Sequence, residues 1–425
     1  MSPQPSLPPV LHELECRCGT TYGPEELAAL RRVLARGAPT SSEECEAFAR
    51  EFAERVCVRH ATPVVNGTAA LVLALKAVGV GPGDEVVTTP VTWVATASAA
   101  VVLGATVSFA DVDPETLNVD PDSVAQLVTE KTKAVVPVHL YGRPVDAAPL
   151  LELAEERGVA VVEDAAHAPG AEYRGKAAGS LGHVACFSFH EQKNMSTLGE
   201  GGMLVTDDEE LFERALLYRS HCARVVGGSS KYLPLPPERL PDDPDVQFWW
   251  QDFDDAGFNF RMNDAQAAVG RVQLGKLDAN NAKRREIASQ LTRRLAEDPV
   301  ASRAVSTPPP DRPGVKSVHH LFPLLLNEGG GGTSTNVSWR DRLVYGMRLR
   351  GVRLGVHYRP VNLSSAFLRR GHGPGECLVA EEAWTRLVTV PVHPRWTPEA
   401  LEYFVEALSA ELARLGPWAG GGGAT

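Results

Sequence analysis

Cysteine is scarce in this chain of 425 residues: there are seven, at positions 16, 18, 45, 57, 186, 222 and 377, odd in number and scattered. No disulfide framework follows from that spacing, which suits reduced thiols in a cytosol. Long apolar runs are missing as well. No stretch approaches the roughly 20 apolar residues that span a bilayer. The opening MSPQPSLPPVLHEL lacks the basic and then apolar segments of a secretory signal, so a cytoplasmic protein with no membrane partner is expected. Positive charge is in deficit, with 42 Lys and Arg against 53 Asp and Glu and a net charge of −11. That balance opposes general affinity for nucleic acid, and an acidic small substrate would need a local basic pocket. Cys16-Arg17-Cys18 and His319-His320 lack the partner spacing of a zinc site, so no metal is expected. A G-x-S-x-G elbow and internal repeats are also absent.

What is present begins with a Pro-rich leader, residues 1–23. GPEELAALRRVLARG and SSEECEAFAREFAERVCVRH follow, with apolar residues at helical spacing, and the Ser-Ser-Glu-Glu start of the second resembles a capping box. From there the text alternates. ATPVVN, DEVVTTP, TVSFADV, TKAVVPVHLY and VAVVED read as strands, while GTAALVLALKAVGV, TWVATASAAVVLG, PDSVAQLVTE and DAAPLLELAEERG between them read as helices. Short apolar runs separated by helices are the signature of parallel strands buried on both faces. An α/β domain with a doubly wound, mainly parallel sheet sandwiched by helices is expected over residues 24–275.

Residues 225–256, rich in Pro, Gly, acids and Trp with no clear period, read as a long loop. A long polar helix from Asn263 to about Asp298 leads into a smaller α+β domain, residues 276–415, with strand-like runs VHHLFPLLL and RLGVHYRP. EGGGGTSTN, 328–336, reads as a flexible loop and residues 416–425 as a disordered tail.

Three features carry chemistry. GVGPGD, 79–84, looks like a dinucleotide loop, but it lacks the last glycine and follows a helix rather than a strand. Asn66-Gly67-Thr68 does follow a strand and open a helix; it reads either as a simple N-cap or as an anion site at the positive helix end. Adjacent Glu163 and Asp164 close the strand VVED, where open α/β sheets bind ligands, and each is either a helix cap or the partner of a buried cation. Lys193 follows the buried-strand run VACFSF and precedes a turn, a poor place for a solvated surface lysine. A helix-start anion cradle, a strand-end Asp and a strand-end Lys are what a pyridoxal phosphate site needs: a phosphate seat, a carboxylate to keep the pyridine nitrogen protonated, and an amine to bond the aldehyde.

The segments NGTAAL, TWVATASAAVVLGATVSFADVD, PVHLYGRP, VVEDAAHAPGAEYRG, FSFHEQKN, GEGGMLVTDD and GFNFRMNDAQAAVG, in this order, resemble the sugar aminotransferases of the DegT/DnrJ/StrS type. The match is strong over about 24–275 and looser over 276–412. The resemblance implies the aspartate-aminotransferase fold (fold type I) and pyridoxal 5′-phosphate as cofactor. Lys193 would be the reacting amine, and Asp164 would pair with the pyridinium nitrogen. Trp93 would stack on the ring, and His167 would lie near its phenolic oxygen. Gly67, Thr68 and Ser188 would cradle the phosphate, together with Asn259 from a neighbouring subunit, so a homodimer with two shared sites is implied. Asn194 and Glu200 flank the lysine in the family's pattern, and turn formation alone could also explain them. His357 and Tyr358 in GVHYRP resemble a motif near the substrate. The implied reaction moves an amino group from glutamate or glutamine to a keto-sugar, nucleotide-linked, or to a keto-cyclitol, in amino sugar or antibiotic biosynthesis. Two other readings stay open: an eliminating or aromatising enzyme of the same fold, and a non-catalytic regulator. The 225–256 loop is longer than the family's, the EGGGGTSTN region is also unusual, and the acceptor is left open.

Overall fold

The alternation of apolar runs becomes one sheet. In the computed structural model, which describes residues 19–37, 40–226, 247–327 and 338–416, seven strands form it: β1 (His60–Val64), β2 (Glu85–Thr88), β3 (Thr106–Phe109), β4 (Thr132–Val136), β5 (Ala160–Asp164), β6 (Val184–Ser188) and β7 (Gly202–Thr206). Their order is β1-β7-β6-β5-β4-β2-β3. Neighbours from β3 to β6 pair parallel, and β7 runs against both β6 and β1. The mainly parallel, helix-flanked architecture expected of the sequence is therefore the one observed.

Adjacent strand residues serve opposite faces, as the two-residue period requires. Val86, Ala134, Val136 and Val162 enter one core, with Leu73 and Leu75 of helix α3 (Gly67–Ala77), which follows α1 (Pro24–Ala35) and α2 (Glu43–Val56). Val87, Val135 and Val161 enter the core on the other face, with Leu150 and Ala154. Helix α3 is apolar nearly all round, and eight of its 11 residues are buried, which fits a helix enclosed by protein rather than lying on the surface.

The long polar helix also forms, as Asp264–Glu297, 34 residues with Asn263 as N-cap, about 50 Å long at the usual rise. Its first half packs Ala267 and Leu277 against Phe48 and Phe52. Its second half packs Ile287, Leu291 and Leu295 into a second core with Phe322, Leu324, Val388, Val390 and Phe404. The helix runs unbroken through residue 275, so the domain division drawn from the sequence lies inside an element that both cores share. Its polar character has a structural use: Gln273, Asn281 and Arg284 are buried and hydrogen-bonded to distant segments. No helix among the described residues is long and apolar enough to cross a membrane.

Three local expectations fail. Ser42 precedes helix Glu43–Val56 but makes no capping box; its N–H and Oγ both donate to Asp264, at 2.7 and 2.6 Å. A carboxylate forms stronger charge-assisted bonds than a helix's own amides can make with a serine. RLGVHYRP is not a strand. Only Gly355 bridges, to Thr389, and the third strand of the small sheet is Leu387–Pro391, paired with Leu321–Leu326. Beyond Gly355 the chain leaves the sheet to bring His357 and Tyr358 into a cavity. Residues 225–256 are not all loop, because Gln247–Phe253 pairs antiparallel with Ala223–Val226, as its aromatic-rich composition favours. Residues 1–18, among them Cys16 and Cys18, lie outside the described residues, as do 227–246, 328–337 and 417–425.

Candidate active site

The segments that follow the carboxyl ends of β1, β2, β5 and β6 converge on one cavity of roughly 580 Å³, as ligand sites of parallel sheets do. Among its lining residues are Gly67, Thr68, Trp93, Asp164, His167 and Ser188, joined by Lys193, His357 and Tyr358. Nine of the ten residues to which the resemblance gives a place at cofactor or substrate are thus brought together. Asn259 is the exception. It is exposed and pairs with Ser220 outside the cavity of its own chain. Glu200 also lines the cavity, and Glu163 and Asn194 do not.

At one end lies the start of α3. Asn66 caps it, its Oδ1 accepting from Ala69 N–H at 2.8 Å. The first intrahelical bond comes only at Ala70 N–H, to Asn66 O, which leaves the Gly67 and Thr68 amides as first-turn donors beside the cavity. Ser188 reaches the same place because Val184, Cys186 and Ser188 share one face of β6. A Cβ on Gly67 would stand 2.8 Å from Ser188 Cβ, so only glycine lets helix and strand approach this closely. Gly67→Ala is expected to cost about 1–3 kcal/mol in urea unfolding. An unchanged midpoint would mean that the helix start can shift without penalty.

Glu163 and Asp164, equivalent in the sequence, separate by strand alternation. Glu163 shares the Val161 face. It accepts from the N–H groups of Gly179, Leu181 and Gly182 at 2.7–2.8 Å and from His139 Nε2 at 2.8 Å. His139 Nδ1 accepts from Val145 N–H, so the ring's proton is on Nε2. Although burial opposes it, these donors hold the Glu163 carboxyl below its ordinary range; this residue is the structural carboxylate. Asp164 shares the Val162 face and meets the cavity. Its Oδ2 accepts from Thr96 Oγ1 at 2.8 Å, and its Oδ1 from Ala166 N–H at 3.1 Å. Thr96 has one proton, and because it donates that proton to Asp164 it accepts from Thr92 Oγ1 at 2.8 Å. Burial raises the Asp164 pKa, opposed by these donors and by the charge of Lys193.

Lys193 sits on the loop between β6 and β7. Burial draws its amine down from 10.5 to about 8, with Asp164 opposing, so a large share of it is neutral near pH 8 and able to take a proton. The next residue, Asn194, is fully buried and tied to Asn281 and Val318. Three histidines face the lysine. Burial holds His167 and His320 well below their ordinary value and His357 at about 4, with the lysine's charge acting in the same direction on each. His167 Nδ1 accepts from Tyr141 N–H at 3.3 Å, which puts the proton on Nε2, 3.3 Å from the Tyr358 hydroxyl. The Tyr358 proton is left to point elsewhere. Trp93, 62% exposed, stands at the rim 6.2 Å from the Tyr358 ring, and Arg353 is exposed at the same opening.

The residues fit pyridoxal phosphate. A glycine-dependent helix start offers amides to an anion, a buried carboxylate faces the same space, and a depressed amine lies with them. Sequence reasoning missed Thr92, Thr96, Tyr141 and His320, which support the site from 26 to 153 residues away along the chain (Tyr141 to His167, His167 to His320) and carry no local signature.

Comparison with known proteins agrees. Residues 21–409 match the sequence pattern of the DegT/DnrJ/EryC1/StrS aminotransferase family. DesV of S. venezuelae is 33% identical, the match covering 92% of this chain and 94% of that one at a TM-score of 0.78. The aminotransferase TlmJ from Streptoalloteichus hindustanus is 32% identical over 94% of this chain and 98% of its own, at 0.82. PseC of Helicobacter pylori, an aminotransferase involved in the biosynthesis of pseudoaminic acid, is 26% identical over 93% and 98%, at 0.81.

Proposed function

The chain belongs to the DegT/DnrJ/EryC1/StrS aminotransferase family and is a pyridoxal-phosphate-dependent aminotransferase; from that premise we propose that it carries an amino group from glutamate or glutamine to a ketone on a sugar, nucleotide-linked, or on a cyclitol. The product is an amino sugar or aminocyclitol of secondary metabolism. The observation that supports this reading is the single cavity holding Lys193, Asp164 and the first-turn amides of α3. When bound, the cofactor supplies an electron sink and carries the amino group between the two half-reactions.

Each residue then has a task. Gly67 and Thr68 amides, with the Thr68 and Ser188 hydroxyls, would hold the phosphate. Asp164 would hold a proton on the pyridine nitrogen, and the Thr92–Thr96 chain keeps Asp164 aimed. Lys193 would anchor the cofactor and, as a free amine, would move a proton at the reacting carbon. Trp93, at the rim of the cavity, would help to hold the ring. His167, uncharged, leaves the Tyr358 hydroxyl free to donate toward cofactor or substrate, and His357 and Tyr358 close the substrate side. Asn259, outside its own cavity, serves the phosphate of the partner's cavity in a homodimer. Free cysteines and the absence of a membrane-length apolar helix among the described residues support a cytoplasmic location.

The test is a panel of keto-sugars and keto-cyclitols assayed with glutamate and with glutamine. Formation of an amino product with release of the matching 2-oxo acid is expected. Release of ammonia or water without an amino product from any acceptor would replace transfer by elimination or aromatisation.

Asp164→Asn keeps the shape and removes the charge. The effect should fall on kcat, lowered roughly a hundredfold or more, because the demand on the electron sink is greatest in the transition state. Near wild-type kcat would move the pyridinium role to another group.

A further inference from the structure

His319-His320, unsuited to metal by spacing, has a different use. The His320 ring is buried, lines the cavity and lies 4.3 Å, centroid to centroid, from His167. Its Nδ1 is 3.2 Å from Oδ1 of Asn194, the residue after the lysine. The amide orientation of Asn194 is forced. Its Nδ2 faces the carbonyl of Val318 at 3.2 Å and Oδ1 of Asn281 at 2.9 Å, and Asn281 is itself fixed by donating from Nδ2 to Pro169 O. Asn194 Oδ1 can therefore only accept, and His320 carries its proton on Nδ1.

The backbone of the same histidine is held as firmly. Its N–H donates to Tyr141 O at 2.8 Å. Its carbonyl and that of His319 accept from Arg284 Nη1 at 3.3 and 3.2 Å. Arg284 also donates to Gly19 O. Gly19 in turn lies on the lysine loop, where its N–H donates to Glu191 O at 2.7 Å and a Cβ would strike the Gln192 and Lys193 carbonyls at 2.2 Å. The loop is thus gripped on both sides of Lys193: before it by Gly19, bonded to the Glu191 carbonyl, and after it by His320 through the Asn194 side chain.

We propose that His320 is a positioning residue for Lys193, fixing through its Nδ1–H bond to Asn194 the loop that directs the amine into the cavity. This rests on the reading of Lys193 as the reacting amine. A histidine that merely filled the core would affect stability and leave the lysine's chemistry alone.

The two roles separate in the full-length chain without cofactor, where reductive methylation at a series of pH values, read by mass spectrometry, gives the titration of Lys193. Asp164, His167, His320 and His357 share its cavity, with His190, Glu200, Arg353 and Tyr358 in the same lining, and the wild-type amine is expected to titrate at about 8. His320→Leu removes the donor. Asn194 Oδ1, left without its partner, turns toward water, the loop moves outward, and the lysine should titrate roughly one unit or more higher, a tenfold gain in proton affinity. His320→Asn, whose amide reaches the position of Nδ1, should restore the wild-type value. His320→Gln, whose amide lies further out, should behave like leucine and takes its place if the leucine chain does not fold. An unmoved lysine in the leucine or glutamine chain overturns the proposal, and so does an asparagine chain shifted as far as they are. Since this readout uses no cofactor, its failure leaves the aminotransferase assignment standing; that assignment is tested separately by identifying the lysine that holds the cofactor.

Discussion

Lys193→Ala is expected to fold, to bind pyridoxamine phosphate, and to lose turnover on the order of 10³-fold or more, because one group supplies both the anchor and the moving proton. Wild-type protein should be yellow, and reduction with borohydride should bleach it and fix the cofactor on the peptide containing Lys193. Label on any other lysine would sink the assignment. The depressed pKa makes a further prediction about stability, and its sign is definite. Between about 8, the folded value, and 10.5, the ordinary one, the unfolded chain holds a proton that the folded chain has lost, so the wild-type apoprotein gains stability relative to the variant as pH rises through that window. Below it, the buried ammonium is a burden that alanine removes. Urea unfolding of the two apoproteins at pH 7 and pH 10 should therefore show the variant's relative advantage at pH 7 shrinking at pH 10. A difference independent of pH would mean that the amine is solvated and that the cavity does not tune it.

The parts of this fold legible in the sequence are those that local chemistry decides. Strands buried on both faces read as unbroken apolar runs, and helix starts carry their own acceptors: Asn66, Asp120, Asp208, Asn263 and Thr397 each accept a first-turn amide. The alternation within VVED even contained the answer to which carboxylate faces the ligand, since Asp164 follows Val162 to one face and Glu163 follows Val161 to the other. What local chemistry does not decide is not legible there. RLGVHYRP has the composition of a strand, yet its neighbour Leu387–Pro391 accepts it only at Gly355, and no period in either segment records that. Helix Glu209–Arg219, though capped by Asp208, buries only Ala215 and so has no apolar stripe to announce it. The supports of the site, Thr96 on Asp164 and Tyr141 on His167, depend on which loops the sheet order makes neighbours, and that is a property of topology. Asp164 sits at a strand end and Lys193, read from the sequence as a strand-end residue, on the loop five residues beyond one, where the resemblance could identify them; the residues that aim them come from elsewhere in the chain.

Asn259 raises the remaining question, because it belongs to the same set of motifs as Lys193 and yet lies exposed outside the cavity of its own chain. It cannot drift there freely: the amides of Phe258 and Phe260 donate to Tyr218 O and Arg219 O, and their rings stack at 4.6 Å. A polar residue held this firmly and facing outward suits a partner's site. If each site takes Lys193 from one chain and Asn259 from the other, then Lys193→Ala and Asn259→Asp, whose carboxylate would repel the phosphate, complement each other. In a heterodimer of the two variants, one site carries both defects and the other neither. Denaturing the two inactive chains together and refolding them should recover activity up to about a quarter of wild type, since random pairing makes half of the dimers mixed and each of those has one good site of two. With both residues drawn from one chain, every site in the mixed dimer would carry a defect and no activity would return. Absence of recovery, with mixed dimers demonstrated by mass spectrometry and Asn259→Asp inactive alone, would refute the shared site and leave Asn259 as a residue of the loop surface.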